Sequence, residues 1–462
     1  MTPGERTPSP PTVYALHGLG GSGAWFGAVR EHLADDIRLI TIDLPGFGDA
    51  VDVSGISLPE MADHVLAAIA RDGSPRWVLL GHSMGGKVAA LVARRALSGE
   101  APVFGLTGLV LLAPSPTLPE PMSESKRAEM LGWAADGPIS AGDARGFLDA
   151  NTARPLRTDL ADRVIADVRH TATAAWRAWL ETGSRADLTR EVGSLNLPAI
   201  VLGGEDDDDL SADAQPRLAS PTFPRARFRR LPDTGHLIAQ ERPTEVAAAI
   251  ADLIAEVSAS APLVPDEWSR LIASPRIEPR VRAALAARAI ADDPSYAPRA
   301  LTPRQLNTLR LLADVVVPQP TGGRIDLAAR LDRQLAAGDG DGWRPADLPP
   351  DAIAARLALD ALEEEAAASA RATVEALVSG TSTPGGSALS ATQLQAWFED
   401  VRVDLVRHWL AHPASLARTG YDVFASRGGP QPLGFTVLGA GARAAWEPAE
   451  FGSEETDREG AA

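Results

Sequence analysis

The chain of 462 residues contains no cysteine. Disulfides, thiolate metal sites and cysteine nucleophiles are therefore excluded. Long apolar runs are missing as well, so no membrane span is expected. Basic residues are in deficit, 44 Lys and Arg against 61 Asp and Glu, for a formal net charge of −17. That balance argues against binding a nucleic-acid backbone or an anionic membrane surface. Residues 1–11 are polar and proline-rich and lack the apolar core of a signal peptide. A cytoplasmic protein is the expectation. The length exceeds what one core supports, so two or more domains are expected.

The chain is organised around Gly81-His82-Ser83-Met84-Gly85-Gly86. The apolar run Trp77-Val78-Leu79-Leu80 leads into it, and the helix-like run Lys87–Arg94 leads out. Strand, sharp turn and helix make the setting of a Gly-x-Ser-x-Gly nucleophile elbow. A β-carbon at position 81 or 85 would collide with the adjoining strand and helix. His82 is expected to pack beside the elbow.

Upstream, the strand-like Thr12–Leu16 ends in His17-Gly18-Leu19-Gly20-Gly21-Ser22-Gly23. This loop lacks the ending of a P-loop and the spacing of a dinucleotide fingerprint. It suits an oxyanion loop, with the backbone N–H of Leu19 as one donor and that of Met84 as the other. Residues 37–42 read as a second strand before Asp43-Leu44-Pro45-Gly46-Phe47-Gly48. Residues 58–71 read as an amphipathic helix with Met61, Val65, Leu66 and Ile69 on one face. Further strands are expected at 106–112, 197–202 and 227–231. Alternating strand and helix predicts an α/β fold with a doubly wound, mostly parallel sheet.

The ordered set His17-Gly18, Asp43–Gly48 and Gly81–Gly86 resembles the α/β-hydrolase superfamily. The antiparallel edge hairpin common there has no counterpart before Thr12. The resemblance implies a helical cap at about 115–188, carrying Trp133, Phe147, Trp176 and Trp179 as pocket lining or as cap core. It implies a triad acid after the strand at 197–202. Glycine, two residues, then acid gives Asp207 when counted from Gly204, with Asp206 as the alternative. The run 205–209 also reads as a solvated acidic turn, and it lacks the spacing of a calcium loop. Asp233-Thr234-Gly235-His236 resembles the histidine loop, with Pro243 opening the final helix at 244–257. Ser83, Asp207 and His236 stand in the chain order of that superfamily. Hydrolysis of an ester, thioester or lactone without a cofactor is the expected activity.

A linker is expected at 258–267. Helical runs follow at 268–273, 280–292, 302–317, 325–337, 352–377 and 391–412, predicting a separate all-α domain over 268–450. His408 and His412 lie one helical turn apart, and an exposed face is expected for them rather than metal ligation. Leu301–Leu306, Val315–Gln319, Ile325–Leu327, Asp332–Leu335, Asp341–Arg344, Trp397–Asp400, His412-Pro413 and Gly420–Asp422 resemble the small subunit, subunit 3, of gluconate 2-dehydrogenase. The resemblance covers about 268–448. It implies an interaction module for a flavin-dependent (GMC-type) oxidoreductase, with export only if a partner carries the chain. It also admits a non-catalytic assembly subunit of a sugar or polyol dehydrogenase complex. Residues 451–462 are expected to be a disordered tail.

Overall fold

Short apolar runs build one six-stranded sheet: β1 (Thr12–Leu16), β2 (Arg38–Ile42), β3 (Trp77–His82), β4 (Leu106–Leu112), β5 (Ala199–Gly204) and β6 (Ala226–Leu231). Their order is β2-β1-β3-β4-β5-β6, and every neighbouring pair is parallel. The computed structural model describes residues 9–340, 345–421, 437–445 and 447. The tail at 451–462 and the motif at 341–344 lie outside the described residues, as does Asp422.

Strands β1, β3 and β5 are buried along their whole length, as expected when helices cover both faces of a parallel sheet. The edge strands β2 and β6 are half-exposed. Arg229 and Arg230 of β6 pair outward with Asp252 and with Glu205 and Asp213, which explains the weak apolar signal of that strand. Helix Leu58–Asp72 buries Met61, Val65, Leu66 and Ile69 against the sheet core and ends at Gly73, whose φ of 68° is left-handed. Parallel register sets Leu16 opposite both Ile42 and Gly81. The loops after β1, β2 and β3 therefore emerge at one edge, the carboxyl edge where open α/β sheets hold their ligands.

The segment between β4 and β5 is helical, with helices Glu124–Gly132, Ala141–Ala150, Thr158–His170 and Thr173–Ala178. Helix Pro243–Ser260 follows β6.

The chain divides into two compact units, and the division does not follow the linker expected at 258–267. The first unit takes 264–290 and the described residues after 436 together with the sheet; the second comprises 258–263 and 291–421. Arg282 gives the physical reason. Its buried guanidinium donates to the carbonyls of Gly99, Ile272, Ser274 and Ile277, which fastens helices Asp266–Ala273 and Pro279–Ala289 to the sheet unit. Arg276 and Glu447, both buried, form a bidentate pair that fixes the late segment to the same unit.

The second unit is helical, with Pro303–Val316, Leu327–Ala337, Asp351–Ser379, Ala391–Leu410 and Pro413–Thr419 around a core that includes Leu309, Leu331, Leu359 and Phe398. Thr302 caps the first helix through a capping box with Gln305. The expected helix to 412 stops at Leu410, because His412 turns extended and its Nδ1 accepts from Ala414 N–H at 3.1 Å, capping the next helix at Pro413. His412 is buried and His408 half-buried, so the exposed face expected for the pair is not found.

Asp332 organises this unit. Its fully buried carboxylate accepts from the Tyr296 hydroxyl at 2.5 Å and from the backbone N–H groups of Arg299, Ala300 and Leu301 at 2.7, 3.1 and 2.7 Å. Asp332→Ala leaves several buried donors unpaired. It is expected to destabilise the helical unit by about 3 kcal/mol, read as a lowered urea midpoint.

Candidate active site

The elbow forms as its glycines require. A β-carbon on Gly85 would lie 2.4 Å from the Leu16 carbonyl oxygen, and one on Gly81 would lie 2.7 Å from that of Gly85. Ser83 has φ 51° and ψ −116°, a strained conformation for a residue with a β-carbon. Its N–H donates to Leu112 O of β4, and its carbonyl accepts from Ser115 N–H. The turn is thus held from both sides. Helix Met84–Leu97 begins at the next residue, and the first N–H groups of a helix lack intrahelical acceptors.

His17 shapes the loop beside it. Leu44 N–H donates to its Nε2 at 3.0 Å, so the ring proton sits on Nδ1 and donates to Gly18 O at 2.8 Å. Asp43 accepts from Gly23 N–H and Asp49 N–H, tying the loops after β1 and β2 together.

On the other side of the elbow, His236 Nδ1 lies 2.6 Å from Asp207 Oδ2. The second Asp207 oxygen accepts from Leu210 N–H at 3.1 Å. Asp206 is exposed; its N–H is spent on Thr234 O. Of the two aspartates, the one at 207 meets the imidazole. Ser83, Leu19, Asp207 and His236 line one cavity of about 170 Å³.

The model of the alpha/beta hydrolase family matches residues 13–249. The chain belongs to the alpha/beta hydrolase family. Among similar sequences, a pimeloyl-(acyl-carrier protein) methyl ester esterase of Xanthomonas campestris pv. campestris is 29% identical over 53% of this chain and 95% of the esterase. A 2-succinyl-6-hydroxy-2,4-cyclohexadiene-1-carboxylate synthase of Pectobacterium atrosepticum is 32% identical over 28% of this chain, and the match spans 48% of the synthase. Among solved structures, an esterase of Thermogutta terrifontis aligns with a TM-score of 0.45 and 26% identity, over 54% of this chain and 92% of that one. The chain is a hydrolase of esterase type.

Charges in the hydrolase cavity are tuned by position. Burial works against a charged His236, but the adjacent Asp207 carboxylate outweighs it and raises the imidazole above its ordinary 6.5. Burial likewise works against the Asp207 carboxylate. His236 and the Leu210 N–H outweigh that and hold it below the usual carboxylate range. His82 packs beside the elbow, against the rings of Trp25 and His236. Its ring lies 5.1 Å from that of His236, and its Nε2 bonds the His236 carbonyl at 2.8 Å. Burial holds His82 neutral, with a pKa lowered to about 3.

The aromatic residues of the cap divide between two roles. Trp133, Phe147 and Trp179 line the cavity. Trp176 is cap core, fully buried with its indole N–H on Met130 O at 2.8 Å.

Two site features lie outside what the sequence motifs display. Lys87 is fully buried, and its ammonium donates to Leu118 O at 3.0 Å and Ala186 O at 2.7 Å, at the two ends of the cap. Burial lowers its pKa to about 8. Asn151 of the cap offers its carbonyl to the N–H groups of His236 and Leu237, at 2.9 and 3.0 Å. A lysine four residues after the serine was the available signal for the first; nothing local marks the second. Among the described residues, no group of three or more acidic or histidine side chains is placed to hold a metal ion.

Proposed function

We propose that Ser83, His236 and Asp207 act together as nucleophile, general base and orienting acid in the hydrolysis of a small carboxylic ester, thioester or lactone. The observation that carries the reading is the 2.6 Å contact of His236 Nδ1 with Asp207, in a cavity that a serine on a strained turn also lines. Asp207 accepts from Nδ1–H, which leaves Nε2 as the basic nitrogen. His236 takes the Ser83 hydroxyl proton as the oxygen attacks the carbonyl carbon. The N–H groups of Leu19 and Met84 receive the negative charge that develops on the carbonyl oxygen. The leaving group departs with the proton from His236. Water then loses a proton to His236, attacks the acyl-serine, and the acid is released as Ser83 regains its hydrogen. The esterase relative supports ester chemistry in particular.

The mechanism requires neutral His236 in the free enzyme. Its raised pKa predicts that kcat/KM falls with acidification through a midpoint above 6.5. A profile of kcat/KM on a p-nitrophenyl ester from pH 5 to 9 checks this; a midpoint below 6.5 contradicts it. Fluorophosphonate labelling of Ser83 tests the reading as a whole. Folded protein that does not label supports the assembly-subunit alternative.

The helical residues carry a separate proposal, supported by their resemblance to the gluconate 2-dehydrogenase small subunit. They would bind a flavin-dependent dehydrogenase whose lactone product the hydrolase opens, with tethering raising the local concentration of the second enzyme. Co-purification of a flavoprotein with the full chain tests it, and recovery without one counts against it.

A further inference from the structure

Glu120 lines the same cavity as Ser83 and His236, at the start of the cap. Its carboxylate accepts from the Ser115 hydroxyl at 2.8 Å and, among the described residues, forms no ion pair. Both nearby lysines are already engaged, Lys87 with the two cap carbonyls and Lys126 with Asp209 at 2.8 Å, a pair that itself lines the cavity. Burial pushes the Glu120 carboxyl up, against the pull of His236 and Lys87. A carboxylate so placed gains from a cation that arrives with the substrate.

A second observation points the same way. The buried side chain of His82 also lines the cavity, and its Nδ1 has no hydrogen-bond partner. Its Nε2 faces the His236 carbonyl, which can only accept, so Nε2 carries the proton and Nδ1 is an acceptor. His82 Nδ1 therefore lacks a donor, and the Glu120 carboxylate has only the Ser115 hydroxyl. Around them stand the rings of Trp25, Trp133, Phe147 and Trp179, whose faces attract cations. The cavity is close in size to one that holds a single benzene ring, roughly 150 Å³.

We propose that the hydrolase takes a small ester whose acyl or alcohol part carries a positively charged nitrogen, recognised by Glu120 and the aromatic wall. The proposal rests on the ester-hydrolase reading above and names its substrate class.

Isosteric pairs test it. β-Alanine methyl ester is compared with methyl butanoate for the acyl side, and acetylcholine with 3,3-dimethylbutyl acetate for the alcohol side. In wild-type protein, the cationic member of one pair is expected to show kcat/KM higher by on the order of tenfold. In Glu120→Gln the ratio within that pair collapses toward one; a loss common to both members cancels in the ratio. A wild-type ratio of one or less in both pairs overturns the proposal. A preference that survives Glu120→Gln overturns the assignment to this residue.

Binding of the two cationic esters to Ser83→Ala, read by tryptophan fluorescence, gives a measure independent of turnover. It is expected to weaken by on the order of tenfold when Glu120→Gln is added. Cation binding without fluorophosphonate labelling of the wild type would end the hydrolase reading and leave the cation site standing. Labelling without a cation preference in binding or turnover would do the reverse.

Discussion

Ser83→Ala is expected to abolish fluorophosphonate labelling and to lower kcat by on the order of 10⁶-fold, as seen when a serine nucleophile is removed. What remains is the residual rate that an oxyanion site and binding supply by themselves. The same position makes a second prediction, about stability. Alanine keeps the β-carbon at φ 51°, so the backbone strain persists without the hydroxyl that needs it. Ser83→Gly is equally inactive but relieves that conformation, which costs a residue with a β-carbon about 1–3 kcal/mol. Glycine also loses more chain entropy on folding, so the net gain over alanine is smaller, about 1 kcal/mol. Urea denaturation of the two variants measures it. A glycine variant less stable than the alanine variant would show that the turn stores no strain. Retained turnover in either variant would remove Ser83 from the chemistry.

The parts of the site that the sequence displays are those set by contacts close along the chain. Trp77–Leu80 needs only its own apolar side chains to read as a buried strand, and Gly81 and Gly85 mark a turn that excludes a β-carbon. The carboxyl-edge loop of β1 is legible for the same reason, with His17 bonding its neighbour Gly18. The choice between Asp206 and Asp207 was not legible, because both follow Gly204 within three residues. In the fold Asp206 N–H bonds Thr234 O, nearly thirty positions away in sequence, and the next side chain meets His236. Lys87 sits in a run that reads as an ordinary helix. It is buried because the carbonyls of Leu118 and Ala186, from opposite ends of the cap, meet over it. Arg282 is a similar case. In an alanine- and arginine-rich helix it resembles a solvated charge, and the distant carbonyls of Gly99 and Ala101 among its acceptors reveal that it joins this helix to the sheet unit. Composition therefore does not show that 264–290 belongs with the sheet unit. Trp133 and Trp176 cannot be told apart by spacing; one faces the cavity, and the other bonds Met130 within the cap.

Asp207→Asn is expected to cost on the order of 10⁴-fold in kcat, whereas Asp206→Asn leaves kcat within about twofold. The asymmetry follows from hydrogen-bond polarity. An asparagine amide can donate to His236 Nδ1, which moves the ring proton to Nε2 and leaves no base for the serine. Asp206 is exposed and touches neither group. The same substitution has a stability signature whose sign follows from the two pKa shifts. His236 is raised above 6.5, so its pairing stabilises the fold fully below that value and is lost as pH rises through the folded pKa. Asp207 is held below 3.8, so its share is present above that value and is lost as pH falls through the folded pKa. Between these limits both groups are charged and the pair is at full strength. The stability gap between wild type and Asp207→Asn should therefore be wider at pH 5 than at pH 9, measured as urea midpoints at both. A gap that widens toward pH 9 would mean that the imidazole draws no stabilisation from the carboxylate, and the orienting role assigned to Asp207 would fall with it.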